Sequence, residues 1–455
     1  MASIAPLLAR LFPVLSACFP ARACLVRHQR RIHGNAANLL EATVNRYSGV
    51  QAPSERQIHL VDDGTRPASK RPCAPETAQQ MVETHQEARM SHIVIDARES
   101  GASTGRYVDK LIENLHKLEP EYEITLLAKS NRLEYLSGIA PSFRVIRCDI
   151  KEFTLAEQLA LKKQIDSLKP DLVHFAIVQQ PVMYGGRVVT TMHDLTTVRF
   201  RNPAKNAAVF WVKQQVYKWV NQRVARKSEA VITPTEFVRK DVSEYCHIPL
   251  EKITVTLEAA DAIAASPKPM APLENTQFVM YTGRPTPHKN LERLIDAFVQ
   301  LRKTRPDLYL VLAGKKDANY ARHEERVRQA NIPNVVFTDF VTDGQLRWLY
   351  EHCAAYVFPS LSEGFGLPGL EAMTHGAPVV SSNATCLPEV YSDAAHYFDP
   401  LDVSDMAVKI GEALDDEALR SNLIEKGRAQ ASKYSWHRTA EQTLAVYEKV
   451  LRDVQ

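Results

Sequence analysis

At 455 residues the chain exceeds what one ordinary hydrophobic core supports, so two domains are expected. Its composition, 45% hydrophobic, 24% charged and 8% aromatic, is that of a globular protein, and no apolar run approaches the ~20 residues needed to cross a bilayer. The formal charge of +3 is unevenly held: residues 1–90 carry 11 Lys and Arg against 7 Asp and Glu, the other 365 carry 45 against 46, so the body of the chain is not a basic, nucleic-acid-seeking surface.

Residues 1–90 hold seven prolines, no clear helical or strand period and no acidic residue before Glu41. Three readings stay open: a targeting peptide, although Arg10 interrupts its apolar stretch; a disordered extension; and a start-site artefact, since Met90 directly precedes the strand pattern "SHIVIDA". From residue 92, apolar strands at 93–97, 123–128, 143–148, 171–175, 188–192, 230–234 and 252–256 alternate with helical stretches. Strands apolar throughout, separated by helices, indicate a parallel sheet covered on both faces. "ASPKPMAPLENTQ" (265–277) reads as a linker. A second series follows at 278–283, 308–314, 334–340, 355–360 and 377–382. The chain is therefore read as α/β, with two doubly wound Rossmann-like domains, 91–265 and 266–435, facing a cleft where ligands meet the carboxyl ends of strands. Seven scattered cysteines (18, 24, 73, 148, 246, 353, 386), never spaced C-x-x-C, suggest reduced thiols in a cytosolic protein.

The candidate chemistry sits at strand ends. In "LSEGFGLPGLEAM" (361–373), Gly364 and Gly366 bare the backbone just before a helix that Pro368 opens. Such a helix end suits a pyrophosphate, with Glu371 and Glu363 able to accept from sugar hydroxyls; an ordinary turn and first-turn glutamate would look similar. In "YTGRPTPHKNLERLIDAF", Arg284 and Lys289 could neutralise a departing diphosphate, or could simply be a solvated basic loop. His193 ends a strand in "VVTTMHDLTTVRF", where a histidine can equally be structural. Gly101 and Gly105 follow the first strand without completing G-x-G-x-x-G, which speaks against a dinucleotide cofactor.

Together these segments resemble the retaining glycosyltransferases of family 4, of the GT-B fold, whose second domain carries G-R-x-x-x-x-K-N and an E-(seven residues)-E segment. Here these read Gly283-Arg284 to Lys289-Asn290 and Glu363 to Glu371, with a "TGRY" loop and an "HDL" turn in the first domain. The likeness covers roughly 92–452. It implies a C-terminal helix, 436–455, that crosses back onto the first domain. It implies that Arg284 and Lys289 bind the donor diphosphate and that the loop Gly364, Phe365, Gly366 donates backbone N–H groups. Glu371 then takes the ribose, Glu363 the sugar hydroxyls, His193 lies near the transferred sugar, and Gly105 and Arg106 close over the phosphates. Two departures stand out: Asp339 replaces a usual glycine in "FTDFV" near the base site, and Gly369 replaces an aliphatic residue inside a helix.

The resemblance implies transfer of a hexose with retained anomeric configuration. No D-x-D motif follows an apolar strand, so no metal is expected, and no cofactor beyond the nucleotide-sugar co-substrate. The "TGRY" loop and "GRPTPHKN" look most like GDP-mannose-dependent mannosyltransferases of polysaccharide biosynthesis; a UDP-sugar enzyme or a non-catalytic nucleotide-sugar-binding module are the alternatives. The acceptor is read as a saccharide or lipid-linked saccharide, with no nucleic acid as partner. Helix 205–227 carries lysines, arginines and four aromatics beside a valine stripe (209, 212, 216, 220, 224). Its two readings are a core stripe with solvated charges, or peripheral contact with an anionic membrane that would place a cytoplasmic protein at the inner membrane face.

Overall fold

The computed structural model describes residues 89–102, 104–200 and 207–452, with side chains at 207–210 and 212 excluded. The three readings of the first 90 residues therefore fall almost wholly outside the described part. Seven parallel strands build the first sheet: β1 (His92–Asp96), β2 (Glu123–Ala128), β3 (Arg144–Arg147), β4 (Leu172–Phe175), β5 (Val188–Thr191), β6 (Ala230–Thr233) and β7 (Ile253–Val255). Around them lie α1 (Gly105–Lys117), α2 (Leu133–Ile139), α3 (Lys162–Leu168), α4 (Thr196–Arg199), α5 (Ala207–Lys227) and α6 (Glu236–Cys246). The second sheet holds β8 (Phe278–Thr282), β9 (Tyr309–Ala313), β10 (Val335–Phe337), β11 (Ala355–Phe358), β12 (Val379–Ser382) and β13 (Ala395–Phe398). Its helices are α7 (Leu291–Arg302), α8 (Ala318–Gln329), α9 (Asp343–His352), α10 (Leu367–Thr374), α11 (Leu387–Tyr391), α12 (Val403–Asp415) and α13 (Glu417–Ala431), and α14 (Trp436–Arg452) closes the described chain.

All twelve expected strands form, and the α/β, doubly wound expectation holds. The strand not foreseen is β13, a short edge strand half covered on its His396 and Tyr397 positions, which pairs with β12 from Val379↔Ala395 to Ser382↔Phe398. The sheet orders, β3-β2-β1-β4-β5-β6-β7 and β10-β9-β8-β11-β12-β13, each reverse once. The reversals fall between β1 and β4 and between β8 and β11, the crevices where doubly wound sheets take ligands. Every candidate segment named above follows one of β1, β5, β8 or β11.

Local chemistry starts the helices where the sheets require them. Thr235 caps α6 by accepting from Val238 N–H, Asp317 caps α8, and Thr342 with Gln345 forms a capping box on α9. On α1, Tyr107, Val108, Leu111, Ile112 and Leu115 make one buried stripe, and Trp436, Ala440, Tyr447 and Val450 of α14 share their core. The C-terminal helix thus packs against the first domain.

That helix is also tied in by polar contacts. Tyr447 Oη lies 2.6 Å from Nδ1 of the fully buried His174, whose Nε2 lies 2.9 Å from Thr191 Oγ1, which in turn meets Tyr107 Oη at 3.0 Å. Burial, reinforced by the nearby His193 charge, pushes the His174 pKa down to about 3. His174 is therefore neutral in the fold, whereas the unfolded chain takes up a proton near pH 6.5. Between about pH 3 and 6.5 the unfolded state binds more protons, so this group's stability contribution is complete above pH 6.5 and declines as pH falls. By pH 5 the expected loss is about 2 kcal/mol. Urea midpoints measured from pH 7 to 5 should fall less steeply in His174→Gln; parallel slopes would refute this.

Candidate functional site

The loops after β8 and β11 are knitted into one surface. Past β8, Pro287–Lys289 form a short 3-10 turn, and Asn290 stands in the left-handed region with its Nδ2 donating to the carbonyls of Pro359 and Pro400 at 3.0 and 2.8 Å. Leu361 N–H donates to the His288 carbonyl at 2.7 Å. These bonds bring Lys289 Nζ to 2.6 Å from Glu363 Oε1, both side chains being mostly shielded, with the ammonium 5.4 Å from the Phe358 ring centroid. Arg284 lies exposed on the same loop, without an ion-pair partner among the described residues.

After Glu363 the backbone runs directly under the first domain. A Cβ on Gly364 would fall on the His193 carbonyl oxygen, so only glycine lets the two chains meet there. The Gly364 carbonyl accepts from Thr235 Oγ1 at 3.1 Å, and Ser362 and Thr196 hydroxyls meet at 3.0 Å. Beside them the Glu389 carboxylate accepts from Glu236 and Phe237 N–H at 2.7 and 2.8 Å, an anion placed on the positive end of α6.

Helix α10 then begins at Gly366 with no side-chain cap and Pro368 in its first turn. Pro368 has no N–H and the Gly369 N–H returns to the Gly366 carbonyl at 3.1 Å, so the helix amide left open at this end is that of Leu367. Glu371, one turn in and buried, accepts from Tyr350 Oη at 3.3 Å and pairs with Arg106 from the first turn of α1. Gly105, likewise buried, opens α1, which also lacks a side-chain cap. The two uncapped helix starts are thus bridged across the cleft by the Arg106–Glu371 pair.

His193 follows β5 with both of its ring nitrogens engaged. Its Nδ1 lies 3.1 Å from Glu258 Oε1 and its Nε2 3.1 Å from the Ala176 carbonyl. Burial alone would push the ring's pKa down, but the hydrogen bond and charge of Glu258, helped by Ala176, hold it above the ordinary value. Tyr107 packs edge-on against the ring at 4.6 Å.

Three further placements refine the sequence reading. The Phe365 ring is buried in the core against Tyr434, which leaves only the backbone of that residue for a ligand. Gly369 leaves room for Tyr391, whose hydroxyl donates to the Gly366 carbonyl at 2.6 Å, so the missing aliphatic side chain is replaced by a tyrosine ring from α11. Asp339 adopts the left-handed backbone that suits the usual glycine, and its Oδ1 accepts from Lys316 N–H at 2.8 Å, tying the β9 and β10 loops together. Glu258 and Tyr350 were not singled out from sequence. Glu258 follows β7 as the other candidates follow their strands, but it stands in a segment running into the linker.

Two family models match the chain: Glycosyltransferase Family 4 over residues 104–261 and Glycosyl transferases group 1 over 264–430. O-antigen chain mannosyltransferase B of Escherichia coli is 31% identical over 275 residues, which span 58% of this chain and 70% of that protein. The chain belongs to the group 1, family 4 glycosyltransferases. The serotype-specific mannosyltransferase WbdA of Escherichia coli is 37% identical over 183 residues, 39% of this glycosyltransferase but only 22% of WbdA's own length. Sucrose-phosphate synthase from Thermosynechococcus elongatus shares the fold at a TM-score of 0.64 and 19% identity, covering 80% of this chain and 100% of that one. This glycosyltransferase is therefore an enzyme of the GT-B fold, and among its described residues no helix is long and apolar enough to cross a membrane.

Proposed function

We propose that this cleft transfers mannose from GDP-mannose to a hydroxyl of a saccharide or lipid-linked saccharide, with retention, in the assembly of a surface polysaccharide. The observation that carries the reading is the surface formed by Lys289, Arg284 and the uncapped start of α10. It puts Lys289, beside Glu363, at the loop that leads into the Leu367 amide of α10, with Arg284 exposed on the Lys289 loop, where a diphosphate would leave. The mannosyltransferase names of the sequence relatives support the sugar.

In this reading Arg284 and Lys289 take the leaving charge and no metal is needed. Glu371 holds the ribose once Arg106 turns from it to the phosphates. Glu363, compensated by Lys289, positions sugar hydroxyls and is a poor nucleophile for a double displacement. As the C1–O bond to the diphosphate breaks and the acceptor oxygen bonds C1 on the same face, the acceptor's proton passes to the departing phosphate oxygen.

The test is nucleotide release from GDP-mannose, UDP-glucose and UDP-GlcNAc, with and without a lipid-linked acceptor. Release from GDP-mannose alone, increased by acceptor, with an α-to-α product by NMR, is expected. Release from a UDP-sugar instead would select that alternative, and tight binding without release would make the chain a binding module.

Peripheral membrane contact belongs to the same proposal, on a reduced surface. Tyr217, Trp219, Val220 and Val224 of α5 pack on the first domain's core, leaving Trp211, 62% exposed, and Lys213 outward. Cosedimentation with anionic vesicles that survives Trp211→Ala with Lys213→Glu would remove it.

A further inference from the structure

His193 has no free nitrogen. Both of its ring nitrogens face oxygen acceptors, the Glu258 carboxylate on Nδ1 and the Ala176 carbonyl on Nε2, each at 3.1 Å. A neutral imidazole offers one donor and one acceptor, so it cannot answer two acceptors. The Ala176 carbonyl can only accept, which places a proton on Nε2. A second proton must then lie between Nδ1 and Glu258, and the ring's surroundings favour it on the ring.

We propose that Glu258 is a positioning residue that keeps His193 doubly protonated and fixed in orientation, so that the histidine serves the transfer as a held cation and not as a base. The inference rests on reading the cleft as the donor site.

Its geometry is built from several elements. Ala176, His193 and Glu258 follow β4, β5 and β7, whose carboxyl ends converge here. The Glu258 segment is anchored from the C-terminal helix, where Thr439 Oγ1 donates to the adjacent Leu257 carbonyl at 2.5 Å. Glu258 itself is 5% exposed, so its carboxylate has little water to turn to and its charge needs the imidazolium. Behind the ring, Tyr107 contributes an edge and no charge, His174 is neutral, and Asp194, next in the chain, adds a second negative charge that favours the imidazolium. The backbone of His193 is in turn the surface on which Gly364 rests. The ring's orientation is thereby coupled to the loop that carries Glu363 and the start of α10.

The chemical consequence is specific. With no lone pair on either nitrogen, His193 cannot take the acceptor's proton, which leaves the departing phosphate to receive it.

The first test needs no variant and no substrate. In the full-length protein at pH 7.5, nitrogen-15 NMR of the His193 ring should show both nitrogens protonated; a neutral tautomer would overturn the proposal whether or not any nucleotide-sugar is turned over. The second test uses Glu258→Gln, whose amide can donate to Nδ1 and so stabilise the neutral ring. With whichever nucleotide-sugar supports turnover, kcat should fall about tenfold or more. Its alkaline limb should move at least one pH unit lower than in the wild type, and Glu258→Asp should move it part of the way back. A loss of kcat with an unshifted pH profile would show that Glu258 is only scaffold.

Discussion

Gly364→Ala is expected to lower turnover about a hundredfold while leaving a folded protein. The added methyl would occupy the position of the His193 carbonyl oxygen, with the rest of that peptide close behind it. Neither side can give way as a flexible side chain would, because both are backbone. The Gly364 carbonyl is held by Thr235, and the preceding Ser362 by Thr196. Relief therefore has to come from separating the two domains at the cleft, which shifts Glu363 and the start of α10 away from His193. Overpacking of this kind costs about 1–3 kcal/mol, and displacement of a reacting group by about 1 Å costs about 10²-fold in rate. Gly138→Ala in α2 is the control, since nothing lies within 4 Å of the position its Cβ would take. It should leave turnover unchanged and the melting temperature equal or slightly higher. Turnover of Gly364→Ala within a few-fold of the wild type would show that the contact between the Gly364 and His193 backbones is not needed for catalysis.

Much of this arrangement was legible in the sequence because parallel, doubly wound sheets write themselves as continuous apolar runs. Twelve strands followed from that signal, and their ends located Arg284, Lys289, Glu363, Glu371 and His193. β13 escaped because "AHYF" is short, lies at an edge and mixes a histidine with aromatics. The partners of each site residue were a different matter. Glu258 is 65 residues from His193 and Ala176 is 17 away, and only the convergence of three strand ends makes them neighbours. Arg106 meets Glu371 across 265 positions for the same reason. Helix α5 shows the converse. Its aromatics looked suited to a membrane, yet Tyr217 and Trp219 turn to the core, where Val220 and Val224 of the same helix also pack. The buried cation Arg98 was likewise invisible as such: it stands two residues from Asp96, bonded to it and to Glu157 and the carbonyls of Ile150 and Gln179, a fully answered charge that belongs to the scaffold.

Lys289→Met should reduce kcat/KM by about 10²–10³, the range for removing one preorganised donor from a developing charge. The same change should destabilise the fold, because it strands the Glu363 carboxylate in a site that leaves that side chain only 12% exposed. Loss of one partner from a fully buried pair costs about 3–5 kcal/mol; with water reaching part of this one, about 2 kcal/mol is expected. The two effects have different origins, and a second substitution separates them. Adding Glu363→Gln removes the stranded charge, so the double variant should regain most of the lost stability by urea denaturation. If the two residues serve the donor as proposed, it should not regain turnover, since both the cation for the leaving diphosphate and the carboxylate for the sugar would then be missing. A pair serving only as a structural tie would behave otherwise, with activity returning in step with stability. Recovery of both in the double variant would therefore remove Lys289 and Glu363 from the donor site, and recovery of stability alone would keep them there.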